Sequence, residues 1–259
     1  MKNHFVFSYI GNKREEVEKI YKCVEDKLEN IETIIEPFCG SSAFSYYVST
    51  LHPKRFKYIL NDLHPFLIEL YRTLQDEQKT FEMIRDLKLL YHTHDKILYK
   101  SICKYTKNKT FLGYVLAHCS HSIIPGLFDI RTTDINKIHA KMDKMLNAPI
   151  LHFLRTEDIT FLNTDGFEVY KEKAKDESCL LFLDPTYLIS DNTQYDCNSQ
   201  DLYKYLFYNN IKNEIAFVVL CLEYSWIIEL LFPNPTDVYE KRYRSHKGNT
   251  TRHGIMINK

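Results

Sequence analysis

No run of residues in this chain is both apolar enough and long enough to span a bilayer, which argues against a helical membrane protein. No segment is of low complexity and nothing recurs at solenoid periods, so neither a disordered linker nor a repeat array is expected. The seven cysteines, at positions 23, 39, 103, 119, 179, 197 and 221, include no C-x-x-C pair and mostly sit inside apolar patterns. That usage suits a reduced compartment better than a disulfide scaffold. His118 and His121 form a lone H-x-x-H, and without further ligands at suitable spacing no metal site is expected. The phosphate-cradling signatures G-x-G-x-x-G and G-x-x-x-x-G-K-[ST] are also missing. The opening MKNHFVFSYIGNKREE is apolar too briefly, and charged too soon, for a secretory signal. A soluble intracellular protein is therefore expected, in cytoplasm or nucleus, the infected cell of a virus or phage included.

With 259 residues, 44% of them hydrophobic and 26% charged, the chain has material for one large α/β domain or for one domain carrying an insertion. Its formal net charge is zero, but the charge is unevenly spread. Residues 241–253, KRYRSHKGNTTRH, hold five Lys/Arg and two His with no acid, and Lys13-Arg14 add two more. Such a patch suits phosphates, with Lys241, Arg242, Arg244, Lys247 and Arg252 as candidate contacts. A solvated loop between two strands is the alternative.

Residues 14–29 place Val17, Ile20, Tyr21, Val24 and Leu28 at helical spacing. Residues 31–35 (IETII) read as a strand ending at Glu36-Pro37-Phe38-Cys39-Gly40, with a serine-capped helix to follow. KYIL at 57–60 repeats the pattern, closing on Asn61-Asp62 and passing through Pro65 into the helix FLIELYRTL. From about 76 to 149 the spacing is helical, broken at Ile123-Ile124-Pro125-Gly126-Leu127-Phe128. Alternation then returns: ILHFL as a strand, a helix from Asp165 to Ala174, and strand CLLFL into Asp184-Pro185-Thr186-Tyr187. A helix near 199–211, strand IAFVVLCL, helix YSWIIELL and the strands VYEKRY and GIMIN complete the chain. Strands alternating with helices imply a doubly wound, mainly parallel sheet with a helical insertion.

In such a sheet the groups after the strands converge on one edge. A glycine after the first strand admits a ligand close to the backbone, and an acid after the second is placed to accept hydrogen bonds from a ribose diol. A nucleoside site without a phosphate signature suggests S-adenosylmethionine.

At this point the residues resemble a known family. The chain is similar to the Dam-type, D12 class N6-adenine-specific DNA methyltransferases, in the order cofactor motifs, target-recognition region, catalytic D-P-P-Y. Phe7-Ser8-Tyr9-Ile10-Gly11-Asn12-Lys13 resembles the family's Y-x-G-N-K stretch, Glu36-Pro37-Phe38-Cys39-Gly40 its F-x-G motif, and Leu60-Asn61-Asp62 its N-D motif. Asp184-Pro185-Thr186-Tyr187 resembles D-P-P-Y, and RYRSHKGNTTRHGIMIN the final basic hairpin. The resemblance implies a Rossmann-like S-adenosylmethionine-dependent methyltransferase domain over 1–75 and 150–259, with 76–149 as a target-recognition insertion. It implies that Tyr9, Lys13, Phe38, Cys39, Gly40, Asp62, Asp165 and Asp184 serve the cofactor, Lys13 near the methionine carboxylate, Asp62 on the ribose and Asp165 at the adenine edge. Asp184 and the Pro185 carbonyl would orient the exocyclic amine of an adenine flipped from duplex DNA, and Tyr187 would stack on it.

Two departures stand out. Thr186 replaces the second proline, whose fixed φ stiffens the loop, although the acceptor carbonyl belongs to Pro185. Where the family reads R-x-N-x-x-G-x-F-N, this chain reads SHSIIPGLFDIRTTDINK, in which only Phe128 and Arg131 hint at the pattern; Arg131 is the candidate nucleic-acid contact there. Two alternatives accordingly stay open: an impaired methyltransferase-like subunit that binds nucleic acid or scaffolds a complex, as a homo- or heterodimer, and an enzyme acting on RNA.

Overall fold

The computed structural model describes residues 3–7, 9, 11–92, 110–119, 135–187, 200–209, 211, 214–242 and 250–258, and omits the side chains of 90–92, 116–119, 135–138, 209, 242 and 250. The expected break at Ile123–Phe128 and the stretch around Arg131 lie outside the described residues, as do Arg244 and Lys247. The described chain falls into two compact units, one comprising 1–15 and 64–157, the other 16–63 and 158–259.

The second unit is built on seven strands: β1 (Thr33–Glu36), β2 (Lys57–Asn61), β3 (Asp158–Leu162), β4 (Cys179–Leu183), β5 (Phe217–Glu223), β6 (Asp237–Arg242) and β7 (Thr250–Ile257). Their order is β3-β2-β1-β4-β5-β7-β6. The first five are parallel, and β7 pairs antiparallel with both β5 and β6. This is the doubly wound sheet that the alternating pattern predicts, closed by a hairpin. Every residue of β4, CLLFL, is buried, as expected of a strand covered on both faces.

Helices α1 (Val17–Lys22), α2 (Ala43–Leu51), α8 (Gly166–Lys173), α9 (Gln200–Asn209) and α10 (Trp226–Leu231) belong to this unit. On one face Ile35, Leu181, Val218 and Leu220 share a core with Val169 and Tyr170 of α8, Leu202 and Leu206 of α9 and Ile228 of α10. On the other, Phe44 of α2 stacks on Phe182 of β4, with centroids 4.4 Å apart and ring planes at 10°. Charge holds the closing hairpin too. Lys241 on β6 pairs with the buried Glu16 carboxylate, and Lys19 of α1 reaches Asp237 at 3.1 Å.

The first unit is helical: α3 (Pro65–Gln75), α4 (Glu77–His92), α5 (Phe111–Cys119), α6 (Ile135–Met145) and α7 (Ile150–Thr156). Pro65 opens α3 at a position where a missing N–H costs nothing. The segment ILHFL, expected as a strand, forms α7. Its Ile150, Leu151, Phe153 and Leu154 are buried at helical spacing, and Arg155 donates to Leu74 O at 3.2 Å. The strand of that region lies further on, at Asp158–Leu162, paired with β2 at the sheet edge. Among the described residues no helix is long and apolar enough to cross a membrane.

Candidate functional site

Because β1 to β5 run parallel, the segments after Glu36, Asn61, Leu162, Leu183 and Glu223 all leave the same edge of the sheet. Strand order reverses between β1 and β4, so Pro37–Ser42 and Asp184–Tyr187 flank the switch point, where open α/β sheets bind ligands.

The turn after β1 is sharply wound. Gly40 has φ 47° and Ser42 φ 50°, both left-handed, a conformation that glycine adopts without a Cβ penalty. Ser42 precedes α2 but its hydroxyl caps nothing. The cap comes instead from Glu36, whose Oε1 accepts from Ser45 N at 2.8 Å. Glu36 is fully enclosed, and burial pushes its carboxyl up to about 7 against the lowering pull of Ser45, with the charge of Asp184 raising it further. The carboxyl that closes β1 thus feels the charge of the one that follows β4 across the switch point. Cys39 is buried as well, and burial, with the charges of Asp62 and Glu36 added, holds its thiol well above the ordinary value.

Asp62 and Gly40, expected to act at one nucleoside site, are in direct contact: Gly40 N donates to Asp62 Oδ2 at 3.1 Å. Behind them Asn61, buried at the end of β2, uses its whole amide. Its Nδ2 donates to Pro37 O at 2.8 Å and Thr164 O at 3.0 Å, and its Oδ1 accepts from Thr164 N at 3.0 Å. One side chain fastens the turn after β1 to the turn after β3. Asn163 adds bonds to Asp62 O at 2.8 Å and Leu63 O at 3.0 Å. Asp165 caps α8 by accepting from Phe167 N at 2.7 Å. The next residue, Gly166, sits so close to Phe38 that an added Cβ would lie 2.6 Å from both the Phe38 ring and Pro37 O. The half-buried Phe38 ring therefore lies beside the α8 N-terminus that carries Asp165.

Asp184, Thr186 and Tyr187 are partly exposed and Pro185 is buried. Tyr187 meets His253 of β7, its hydroxyl 3.4 Å from Nδ1. Of the cationic candidates, Arg252 is exposed with its guanidinium over the Tyr224 ring at 5.2 Å, Lys241 is engaged with Glu16, and Arg242 ends β6. Tyr9 and Lys13 belong to the helical unit. There Tyr9 stands edge-on to Phe5 at 5.9 Å and the buried Lys13 donates to Gly11 O at 3.5 Å.

Sequence reasoning quoted Glu36 and Asn61 inside motifs without giving either a task. A charged residue closing an otherwise apolar strand was the available signal for the first. The second had none beyond its place before Asp62, since its bonds run to residues 24 and 103 positions away.

A mostly parallel sheet in the order β3-β2-β1-β4-β5-β7-β6, with helices on both faces and an acid-anchored glycine turn after β1, defines a Rossmann-like protein of the methyltransferase type. The model of the D12 class N6 adenine-specific DNA methyltransferases matches residues 9–154, more than half of the chain, and the chain belongs to that family. No curated protein matches it. The family match ends at residue 154, and the loop Asp184–Tyr187 stands beyond it at the switch point.

Proposed function

We propose that this protein transfers a methyl group from S-adenosylmethionine to N6 of an adenine turned out of duplex DNA, with Asp184-Pro185-Thr186-Tyr187 as the acceptor site. The observation that carries the reading is the emergence of this loop from buried β4 directly across the switch point from the glycine turn.

The residues fit the cofactor. Asp62, fixed through Gly40 N, offers a carboxylate where a ribose diol would bind, and Gly40 leaves the turn without a side chain. Phe38 supplies an aromatic wall beside Asp165, the expected partner of the adenine edge. The part assigned to Tyr9 and Lys13 rests on the Y-x-G-N-K resemblance alone. When bound, the cofactor supplies an electrophilic methyl on a sulfonium. The protein must make the exocyclic amine of adenine, whose lone pair is delocalised into the ring, a competent nucleophile. The Asp184 carboxylate and the Pro185 carbonyl would each accept one N–H, favouring a pyramidal nitrogen with its lone pair aimed at the methyl. Holding the reactants in line and offering preorganised acceptors to developing positive charge are the sources of rate. Extruding the base costs a few kcal/mol, and stacking on Tyr187 at about 1–3 kcal/mol offsets it. Thr186 removes neither acceptor.

The test is to measure cofactor binding and methyl transfer on the same samples. Asp184→Ala should lose transfer while leaving much of the fold intact, whereas Asp62→Ala should weaken cofactor affinity by roughly tenfold or more, about the worth of one charged hydrogen bond. An Asp184→Ala protein with full activity would refute the site. Transfer to RNA in preference to duplex DNA would move the substrate class, and cofactor binding without transfer to either would favour a scaffolding subunit.

A further inference from the structure

Tyr187 follows β4 on a segment with no regular structure, so something other than its own backbone ladder must orient its ring. One of its partners is His253. The two rings meet edge to face, with centroids 5.6 Å apart and planes at 71°, and the phenol oxygen lies 3.4 Å from Nδ1. His253 is 0% exposed, and its other nitrogen, Nε2, is 3.3 Å from Thr251 Oγ1 two residues back on the same strand face. It also stacks on Tyr239, its cross-strand partner on β6, at 5.7 Å and 23°. Tyr239 in turn lies under the Lys19 ammonium at 5.0 Å, and Lys19 is tied to Asp237. On the opposite side His253 stands in register with Glu223 of β5. The imidazole is thus set in a column running from α1 through both strands of the hairpin to the loop after β4.

We infer that His253 is a positioning residue for Tyr187, and that the C-terminal hairpin fixes through it the pose of the ring that receives the target base. This deepens the proposed function and rests on it. A buried imidazole must have partners for its nitrogens, and here one partner is the hydroxyl of the residue assigned to stacking. Phenylalanine would fill the same space, but it would release the phenol to turn about its own axis and swing with the loop. Preorganising the ring removes an ordering cost that base capture would otherwise carry.

The experiment compares His253→Phe, His253→Gln and Tyr187→Phe, alone and in the double variant His253→Phe/Tyr187→Phe. Cofactor affinity and the kcat and KM for unmethylated duplex DNA are measured for each. His253→Phe should lower kcat/KM for DNA by roughly tenfold, the scale of a misplaced reacting group, with cofactor affinity within about twofold of wild type. His253→Gln, which keeps a polar partner for the phenol, should recover part of the loss. Because the effect passes through one hydroxyl, the double variant should be no slower than Tyr187→Phe alone. Wild-type kinetics in His253→Phe, or losses that multiply in the double variant, would overturn the inference. Should the wild-type enzyme transfer no methyl, the acceptor-site reading falls, and imidazole nitrogen shifts then decide the contact. A changed His253 signal in Tyr187→Phe upholds the pairing, and an unchanged one removes it.

Discussion

Asn61 and Glu36 carry the architecture of the site at the scale of single residues, and neither needs to touch a ligand to matter. Asn61→Ala would strand Pro37 O in a buried place, at a cost of about 1–3 kcal/mol, and would free Thr164 O and Thr164 N, which stand at the exposed turn after β3 and can turn to water. Denaturant unfolding should show that loss, together with weakened cofactor binding from loosened turns. For Glu36 the sign follows from burial. Its folded pKa of about 7 lies above the ordinary carboxyl value of 4.5, so the folded state holds the proton more tightly than the unfolded one. The stability this brings is full below about pH 4.5 and is lost as pH rises through 7. Between those limits the wild type should lose about 3 kcal/mol relative to Glu36→Gln, which cannot ionise and can still accept from Ser45 N. Parallel unfolding curves for the two proteins across that range would contradict the assignment.

At the scale of elements, the start of α8 leaves no room for a side chain at Gly166. Gly166→Ala would push a Cβ to 2.6 Å from Pro37 O, which is backbone and cannot swing away, so α8 or the β1 turn must move. The expected cost is about 1–3 kcal/mol in unfolding free energy, with weaker cofactor binding measured alongside. How far the sequence foretold these elements depended on burial. CLLFL and IAFVVLCL were readable because strands covered on both faces are continuously apolar, and the ends of β1 and β2 were readable from their glycine, proline and acid. ILHFL misled because five apolar-rich residues suit a strand as well as a helix, and only packing against α3 decides. Strand β3 escaped notice because the neighbouring ILHFL is the more continuously apolar stretch, whereas DITFL, half exposed at the sheet edge, mixes polar with apolar residues. The site followed the same rule. Asp62, Gly40 and Asp184 announce themselves by standing at strand ends, whereas the Asn61 staple and the His253 column depend on pairings across distant parts of the chain.

For the whole molecule, family membership fixes the class of chemistry, while the acceptor site rests on where one loop leaves one sheet. That division makes the central claim directly testable. Unmethylated genomic DNA would be incubated with the wild-type protein and with Asp184→Ala in the presence of S-adenosylmethionine carrying a labelled methyl group, then hydrolysed to nucleosides and analysed for label. Label in N6-methyladenine from the wild type, and none from the variant, is the predicted result. Equal labelling from both proteins, or label in any other nucleoside, would contradict it.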